Sequence, residues 1–192
     1  MKYLIPVFLF LLITKTAAAQ QNLLSFDEHN KYIYYQVETM PGIPADTLMQ
    51  RGLKFLKAAY PKTTVKQDNA VKTEGVGKFL VYGGLSVLKH EKGEIAYQLN
   101  IEYKDQKYRF WVTGFVFTPY QRDRYGNFVP QQGIDIPLEQ AMAKLDQKDA
   151  GGYLDETGAF CKQFGEKLKL YLSRLPEPKK VETTKKVVTD NW

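Results

Sequence analysis

EIAYQLNIEYKDQKYRFWVTGFVF, residues 94–117, is the stretch whose reading decides the fold. From Ile95 the apolar residues alternate, at Ile95, Tyr97, Leu99, Ile101 and Tyr103, which is the period of a strand with one buried face. The returning segment alternates too, so a two-residue turn at Asp105-Gln106 closes a hairpin. This register pairs Tyr103 with Tyr108, Ile101 with Phe110, Leu99 with Val112, Tyr97 with Gly114 and Ile95 with Val116, all on one face. The opposite face then carries Glu102 against Arg109, Asn100 against Trp111, Gln98 against Thr113 and Ala96 against Phe115. Such cross-strand pairs contribute about 0.2–1 kcal/mol each, and a one-residue slip would turn the buried set outward. Gln106 stands where a glycine would favour a tight turn, and Lys104 opposite Lys107 is mildly repulsive.

Upstream, Tyr32 to Val37 is rich in aromatic and β-branched residues and reads as a first strand, ended by Met40-Pro41-Gly42-Ile43-Pro44. A helix is expected from Ala45 to Ala59, with Leu48, Leu53, Phe55, Leu56 and Ala59 on one stripe and Pro61 barring its continuation. Two weaker strands follow, Thr63 to Asn69 and Thr73 to Val81, the second with Gly75 and Gly77 suggesting a bulge or bend. Beyond Phe117 the pattern is irregular to about Asp135, and loops of that length are usually functional or mobile. Pro137 opens a short helix to about Leu145, using Leu138, Met142 and Leu145. A stronger helix from Glu156 to Leu175, capped by Asp155 and ended by Pro176, places Phe160, Phe164, Leu168, Tyr171, Leu172 and Leu175 on an apolar stripe. The hairpin offers the sheet face that this stripe needs.

Residues 1–19 combine an early Lys, an apolar run from Tyr3 to Ile13 and Ala17-Ala18-Ala19, which reads as a secretory signal peptide cut after Ala19. The apolar run is shorter than the roughly 20 residues that span a bilayer, and no cysteine follows the cut to carry a lipid. Residues 20–175 are then long enough for a single domain with a real core, with its centre at 26–117 and a helical part at 136–175. Residues 176–192, with Lys179-Lys180 and Lys185-Lys186, read as a charged disordered tail. Loss of Lys2 and Lys15 with the signal leaves 25 basic residues against 21 acidic ones, a net charge of +4. In an exported chain that excess speaks for an envelope protein or an anionic ligand as partner, not for nucleic acid. Nothing after the signal is long and apolar enough to cross a membrane. Cys161 is the only cysteine, so no internal disulfide can form.

Strand, helix, four strands and helices make an α+β domain, a curved and mainly antiparallel five-stranded sheet (β-α-β-β-β-β-α) with helices packed on one face. Lys31 to Val37 with Pro41-Gly42, then Asp46, Leu48 and Phe55-Leu56, then Gly75-Val76-Gly77-Lys78, then Asp105 and Lys107-Tyr108-Arg109-Phe110 carry a resemblance. They resemble the exported bacterial domain of unknown function family 4468, whose fold is TBP-like. The resemblance covers roughly Phe26 to Phe117, and it departs from the family pattern at Phe55, where a Trp is common, and at Gln106, where a Gly is common. It implies a curved five-stranded sheet and brings no activity or site residues with it.

Catalytic constellations are missing from the pattern. Ser25, Ser86 and Ser173 lie in no nucleophile elbow, and Cys161 beside an apolar stripe reads as a small buried hydrophobe instead of a reactive thiol. His29 and His90 sit in connections without ligand spacing, so no metal is expected. Gly75-Val76-Gly77 lacks the third glycine and the helix of a dinucleotide site, and Asp146, Asp149, Asp155 and Glu156 lack the alternation of a calcium loop. No cofactor is implied.

Two features stand out as candidate contacts. One is the second face of the hairpin, with Gln98, Asn100, Arg109, Trp111 and Thr113 as a binding face, joined by Glu102 and Phe115. The other is the following loop, with Tyr120, Arg122, Arg124 and Tyr125 as contacts for anionic or planar groups. The sequence thus points to an exported, non-catalytic binding or assembly module. The alternatives are an envelope hydrolase acting on a polymer through carboxylates that converge only in the fold, and a sheet edge that takes a partner by strand addition.

Overall fold

The computed structural model of the chain describes residues 23–69, 71–83 and 90–174. The expected signal peptide and tail lie outside them. In chain order the elements are β1 (Ser25–Phe26), β2 (Tyr32–Thr39), α1 (Ala45–Ala59), β3 (Thr64–Asn69), β4 (Lys72–Gly83), β5 (His90–Lys104), β6 (Lys107–Arg122), β7 (Phe128–Pro130), β8 (Ile136–Pro137), a 3₁₀ turn (Leu138–Gln140), α2 (Ala141–Lys144) and α3 (Gln147–Ser173). The sheet runs β1-β2-β6-β5-β4-β3 with antiparallel pairings, and β7 and β8 also pair with β6. The five strands read from the sequence are β2 to β6; the short β1, β7 and β8 raise the count to eight.

The β5–β6 hairpin keeps the expected register from Lys104 opposite Lys107 to Gln98 opposite Thr113. It then shifts by one residue, so that Ala96 faces Val116 and Ile95 faces Phe117. The expected pairs Ala96–Phe115 and Ile95–Val116 are therefore corrected. Gly114, at φ +64°, is the extra residue, and a glycine in the left-handed region accommodates such a bulge at little steric cost. Downstream of it the faces exchange: Phe115 and Phe117 are 1% and 2% exposed and belong to the core, while Val116 turns to the opposite face.

The tip of this hairpin organises the helical layer. The Asp105 carboxylate accepts a hydrogen bond from the Ala45 backbone N–H at 2.9 Å, supplying the cap that Pro44, at the N-cap position of α1, cannot make. Gln106 adopts φ +63°, and its backbone is held from both sides, donating to Ile43 O at 2.9 Å and accepting from Met40 N at 2.7 Å. Asp105→Ala is therefore expected to cost about 0.5–2 kcal/mol, read as a lowered urea midpoint, with Asp105→Asn retaining most of the stability.

Helices α1 and α3 pack on one face of the sheet, α1 against β4 and β5 and α3 against β2 and α1. Leu48, Phe55 and Leu56 of α1 are buried as expected, with Leu53 half-buried, but Ala59 is exposed. Gly52 completes the contact stripe, because a Cβ there would run into the Tyr103 ring. Helix α3 begins nine residues before the expected Glu156, at Gln147, because Asp146 and not Asp155 caps it by accepting from Lys148 N at 2.8 Å. The Gly151-Gly152 pair is absorbed into the helix. The helix expected from Pro137 is a 3₁₀ turn followed by one turn of α2, with Leu138 buried and Met142 51% exposed. Gly75 and Gly77 mark no bend: the β4–β5 register runs through them unbroken and shifts instead between Val81 and Tyr82. They are small because a Cβ at Gly77 would lie 2.5 Å from the Tyr97 hydroxyl and one at Gly75 3.0 Å from the Thr63 methyl.

The expected irregular loop after Phe117 is a continuation of β6 to Arg122 that turns into β7. Asp123 Oδ1 accepts from the backbone N–H groups of Tyr125 and Asn127, both at 2.8 Å, and Gly126 takes φ +85°. An aspartate that closes its own turn stands where the sequence pattern suggested an irregular loop.

Candidate functional site

Strand alternation gives the sheet a second face, turned away from the helices. It carries Ile33, Tyr35 and Val37 from β2, Arg109, Trp111 and Thr113 from β6, Gln98, Asn100 and Glu102 from β5, and Lys72, Glu74 and Val76 from β4. The register sets them in rows across the strands: Tyr35, Trp111, Asn100, Glu74 and Lys66 in one, and Ile33, Thr113, Gln98, Val76 and Thr64 in the next. Neighbours within a row are about 5 Å apart and rows about 7 Å apart. Among the described residues nothing covers this face, with Tyr35, Val37 and Val76 exposed by 50%, 52% and 57%. Trp111 is half-buried and Arg109 is exposed.

Three cations of this face are paired with carboxylates. Arg109 meets Glu102 at 2.6 Å, Lys72 meets Glu74 at 2.6 Å and Lys78 meets Glu94 at 2.8 Å. The Arg109 guanidinium also lies 5.6 Å from the Trp111 ring centroid, and it is held above its ordinary pKa first by a hydrogen bond with Tyr35 and then by Glu102. These contacts fix the rim of the Tyr35–Trp111 pair. Beside that pair the face sinks into a depression of about 320 Å³ lined by Thr64, Lys66, Glu74, Val76, Gln98 and Asn100, with Gly75 and Leu99 at its floor.

Of the residues expected at a binding face, Gln98, Asn100, Arg109, Trp111 and Thr113 lie in adjacent rows, and the Thr113 hydroxyl donates to Tyr32 O at 3.0 Å. Phe115 does not join them, because the Gly114 bulge turns it into the core. Tyr120, expected as a loop contact, stands on β6, where its hydroxyl donates to Glu94 Oε2 at 2.9 Å. Burial, and then that hydrogen bond, push it up to about 12. Arg122 packs over Phe128, which stacks on His90, and Arg124 packs over Tyr125. The arginines of the hairpin tip thus cover their own aromatic neighbours.

Sequence reading missed Tyr35, Val37, Thr64, Lys66, Glu74 and Val76. Both faces of β2 are apolar, so only pairing with β6 tells Tyr35 from Tyr34. In β4 glycine occupies core positions while Val76 points outward, which inverts the usual pattern. Elsewhere, Cys161 is buried and burial pushes its thiol up. His29 lies exposed 3.8 Å from Glu28, and the Asp149 carboxylate pairs with Lys92 at 2.7 Å. No helix among the described residues is long and apolar enough to cross a membrane.

Residues 34–118, from β2 into β6, match the family model of DUF4468, a domain of unknown function with a TBP-like fold. Two crystal structures are similar over most of their length. A TBP-like protein from Parabacteroides distasonis ATCC 8503 superposes with a TM-score of 0.59 at 15% identity, covering 75% of this chain and 94% of that one. A DUF4468 family protein from Bacteroides ovatus ATCC 8483 gives a TM-score of 0.59 at 11% identity, covering 81% and 94%. At these identities the likeness is one of fold. No curated protein matches the chain.

Proposed function

We propose that this chain is an exported envelope protein that binds a partner or takes part in assembly without catalysis, and that the uncovered sheet face is its contact surface. The observation that carries this reading is a sheet face with an adjacent Tyr35–Trp111 pair, a guanidinium fixed beside it, and amide side chains turned to solvent. Tyrosine, tryptophan and arginine are the side chains that most often dominate binding energy. Export rests on the composition of residues 1–19. The TBP-like fold does not bring DNA binding with it, because fold does not carry function, and three of the cations on this face are already held by carboxylates.

The hydrolase alternative finds no favouring observation among the described residues. A carboxylic general acid is raised by its surroundings, whereas Asp27, Glu38 and Asp123 are lowered. Asp27 and Asp123 are lowered first by backbone hydrogen bonds, from Lys31 and Asn127; at Glu38 burial acts upward and is outweighed by hydrogen bonds from Lys169 and Gln36. The test of the binding reading is a double variant, Arg109→Ala with Trp111→Ala. It is expected to lose partner capture from an envelope extract while costing only about 1–2 kcal/mol of stability. Unchanged capture would remove the face from consideration.

A further inference from the structure

The occupant of the uncovered face can be narrowed by asking which chemistry its free groups suit, taking the binding reading above as the premise. Four polar side chains line the depression without a side-chain partner among the described residues: the Thr64 hydroxyl, the Lys66 ammonium, and the Gln98 and Asn100 amides. Glu74 lines it too, held by Lys72. Each amide offers both a donor pair and an acceptor, the hydroxyl offers both, the ammonium donates and the carboxylate accepts. Alternation sets Gln98 and Asn100 about 7 Å apart along β5, with Val76 and Glu74 directly across from them on β4. In the same row as Asn100, on the neighbouring strands β6 and β2, stand the Trp111 and Tyr35 side chains.

This is a mixed array of donors and acceptors bordered by an aromatic platform, and it discriminates among ligand classes. A polyanion needs a row of free cations, yet Arg109, Lys72 and Lys78 are held by Glu102, Glu74 and Glu94, so that Lys66 is the free cation lining the depression, with Lys104 and Lys107 two rows away at the hairpin tip. An apolar helix or a hydrophobic protein patch needs apolar area across the whole face, yet the strip of Ile33, Tyr35, Val37 and Trp111 is separated from Val76 by the amides of β5. A sugar ring fits both halves of the array. Its hydroxyls donate and accept at the ring edge, and its C–H bonds present a flat apolar face to an aromatic ring, an amphipathic match that Trp and Tyr supply well. The volume of about 320 Å³ lies at the small end of ligand sites, about 300–1,000 Å³.

We propose that the face binds a neutral oligosaccharide, with Gln98, Asn100, Glu74 and Lys66 hydrogen-bonding to its hydroxyls and Trp111 and Tyr35 stacking on a ring face.

The test is isothermal calorimetry of the full chain against maltohexaose, laminarihexaose, xylohexaose, mannohexaose and chitohexaose, with oligogalacturonate and a heparin hexasaccharide as charged controls. Saturable binding of at least one neutral hexasaccharide is expected, with affinity that changes less than about twofold between low and high salt. Trp111→Ala and Asn100→Ala are each expected to weaken it at least about tenfold, and Met142→Ala, on the helical side, to leave it unchanged. Melting curves of the variants confirm that the domain is folded. Three results overturn the proposal: no saturable heat with any neutral hexasaccharide up to about 10 mM, salt-sensitive binding confined to the charged controls, or self-association of the chain that Trp111→Ala abolishes. If envelope capture still depends on Trp111 and Arg109 while the saccharides do not bind, the ligand class is wrong and the face remains the contact surface. If capture is also indifferent to both residues, the face itself is wrong.

Discussion

Phe115→Ala is expected to lower stability by about 3–5 kcal/mol, whereas Val116→Ala is expected to cost about 1 kcal/mol or less. An uninterrupted β5–β6 ladder would reverse that order, because strict alternation from Tyr108, Phe110 and Val112 places Val116 in the core and Phe115 outside. The Gly114 bulge decides between them. With Gly114 at φ +64° as the extra residue, Ile95 faces Phe117 rather than Val116, and Phe115 is left 1% exposed against the helical layer. Truncating a buried phenylalanine loses transfer free energy and opens a cavity that packed neighbours fill only in part. Truncating a half-exposed valine loses about two methyl groups of partial burial. Urea denaturation of the two variants reads the difference directly.

The second large effect is expected at Phe164, where Ala should cost about 3–5 kcal/mol and cooperative unfolding should survive only at reduced denaturant. Phe164 is 1% exposed and is the point at which both helices meet the sheet. Its ring lies 5.7 Å from Phe55 and 5.2 Å from Tyr60 at the end of α1, and 5.4 Å from Phe110 on β6. Next to it, Gly165 allows the approach, since a Cβ there would lie 2.8 Å from the Phe110 ring. Edge and tilted ring contacts add about 0.5–1.5 kcal/mol each beyond area, so the loss is shared across three elements. Phe164→Leu, which keeps volume near α1, is expected to recover more than half of the stability.

How much was legible in the sequence follows from these two sites. The α3 stripe through Phe160, Phe164, Leu168 and Leu172 has a helical period, and the hairpin from Gln98 to Thr113 has a strand period, so both could be read without coordinates. The change of parity at Gly114 was visible only as a glycine inside a strand followed by two odd-numbered phenylalanines, a signal that one strict register overrode. The start of α3 was obscured by Gly151-Gly152, which look like a break but are carried by an Asp146 cap and by packing around Ala150 and Tyr153. Asp105 gave no local sign of capping a helix 60 residues earlier in the chain. The β6 half of the candidate face could be read because Arg109, Trp111 and Thr113 alternate with buried residues. The β2, β3 and β4 halves could not, because only strand order brings Tyr35, Glu74, Val76 and Lys66 beside them.

Photocrosslinking in intact cells tests the surface most directly, with a diazirine side chain placed singly at Tyr35, Gln98 or Trp111 on the sheet face and at Met142 or Leu170 on the helical side. Met142 and Leu170 are 51% and 65% exposed, so access is not the variable. Adducts are expected from the three sheet positions and none from the two helical ones; adducts confined to Met142 and Leu170 would contradict a partner on the uncovered sheet.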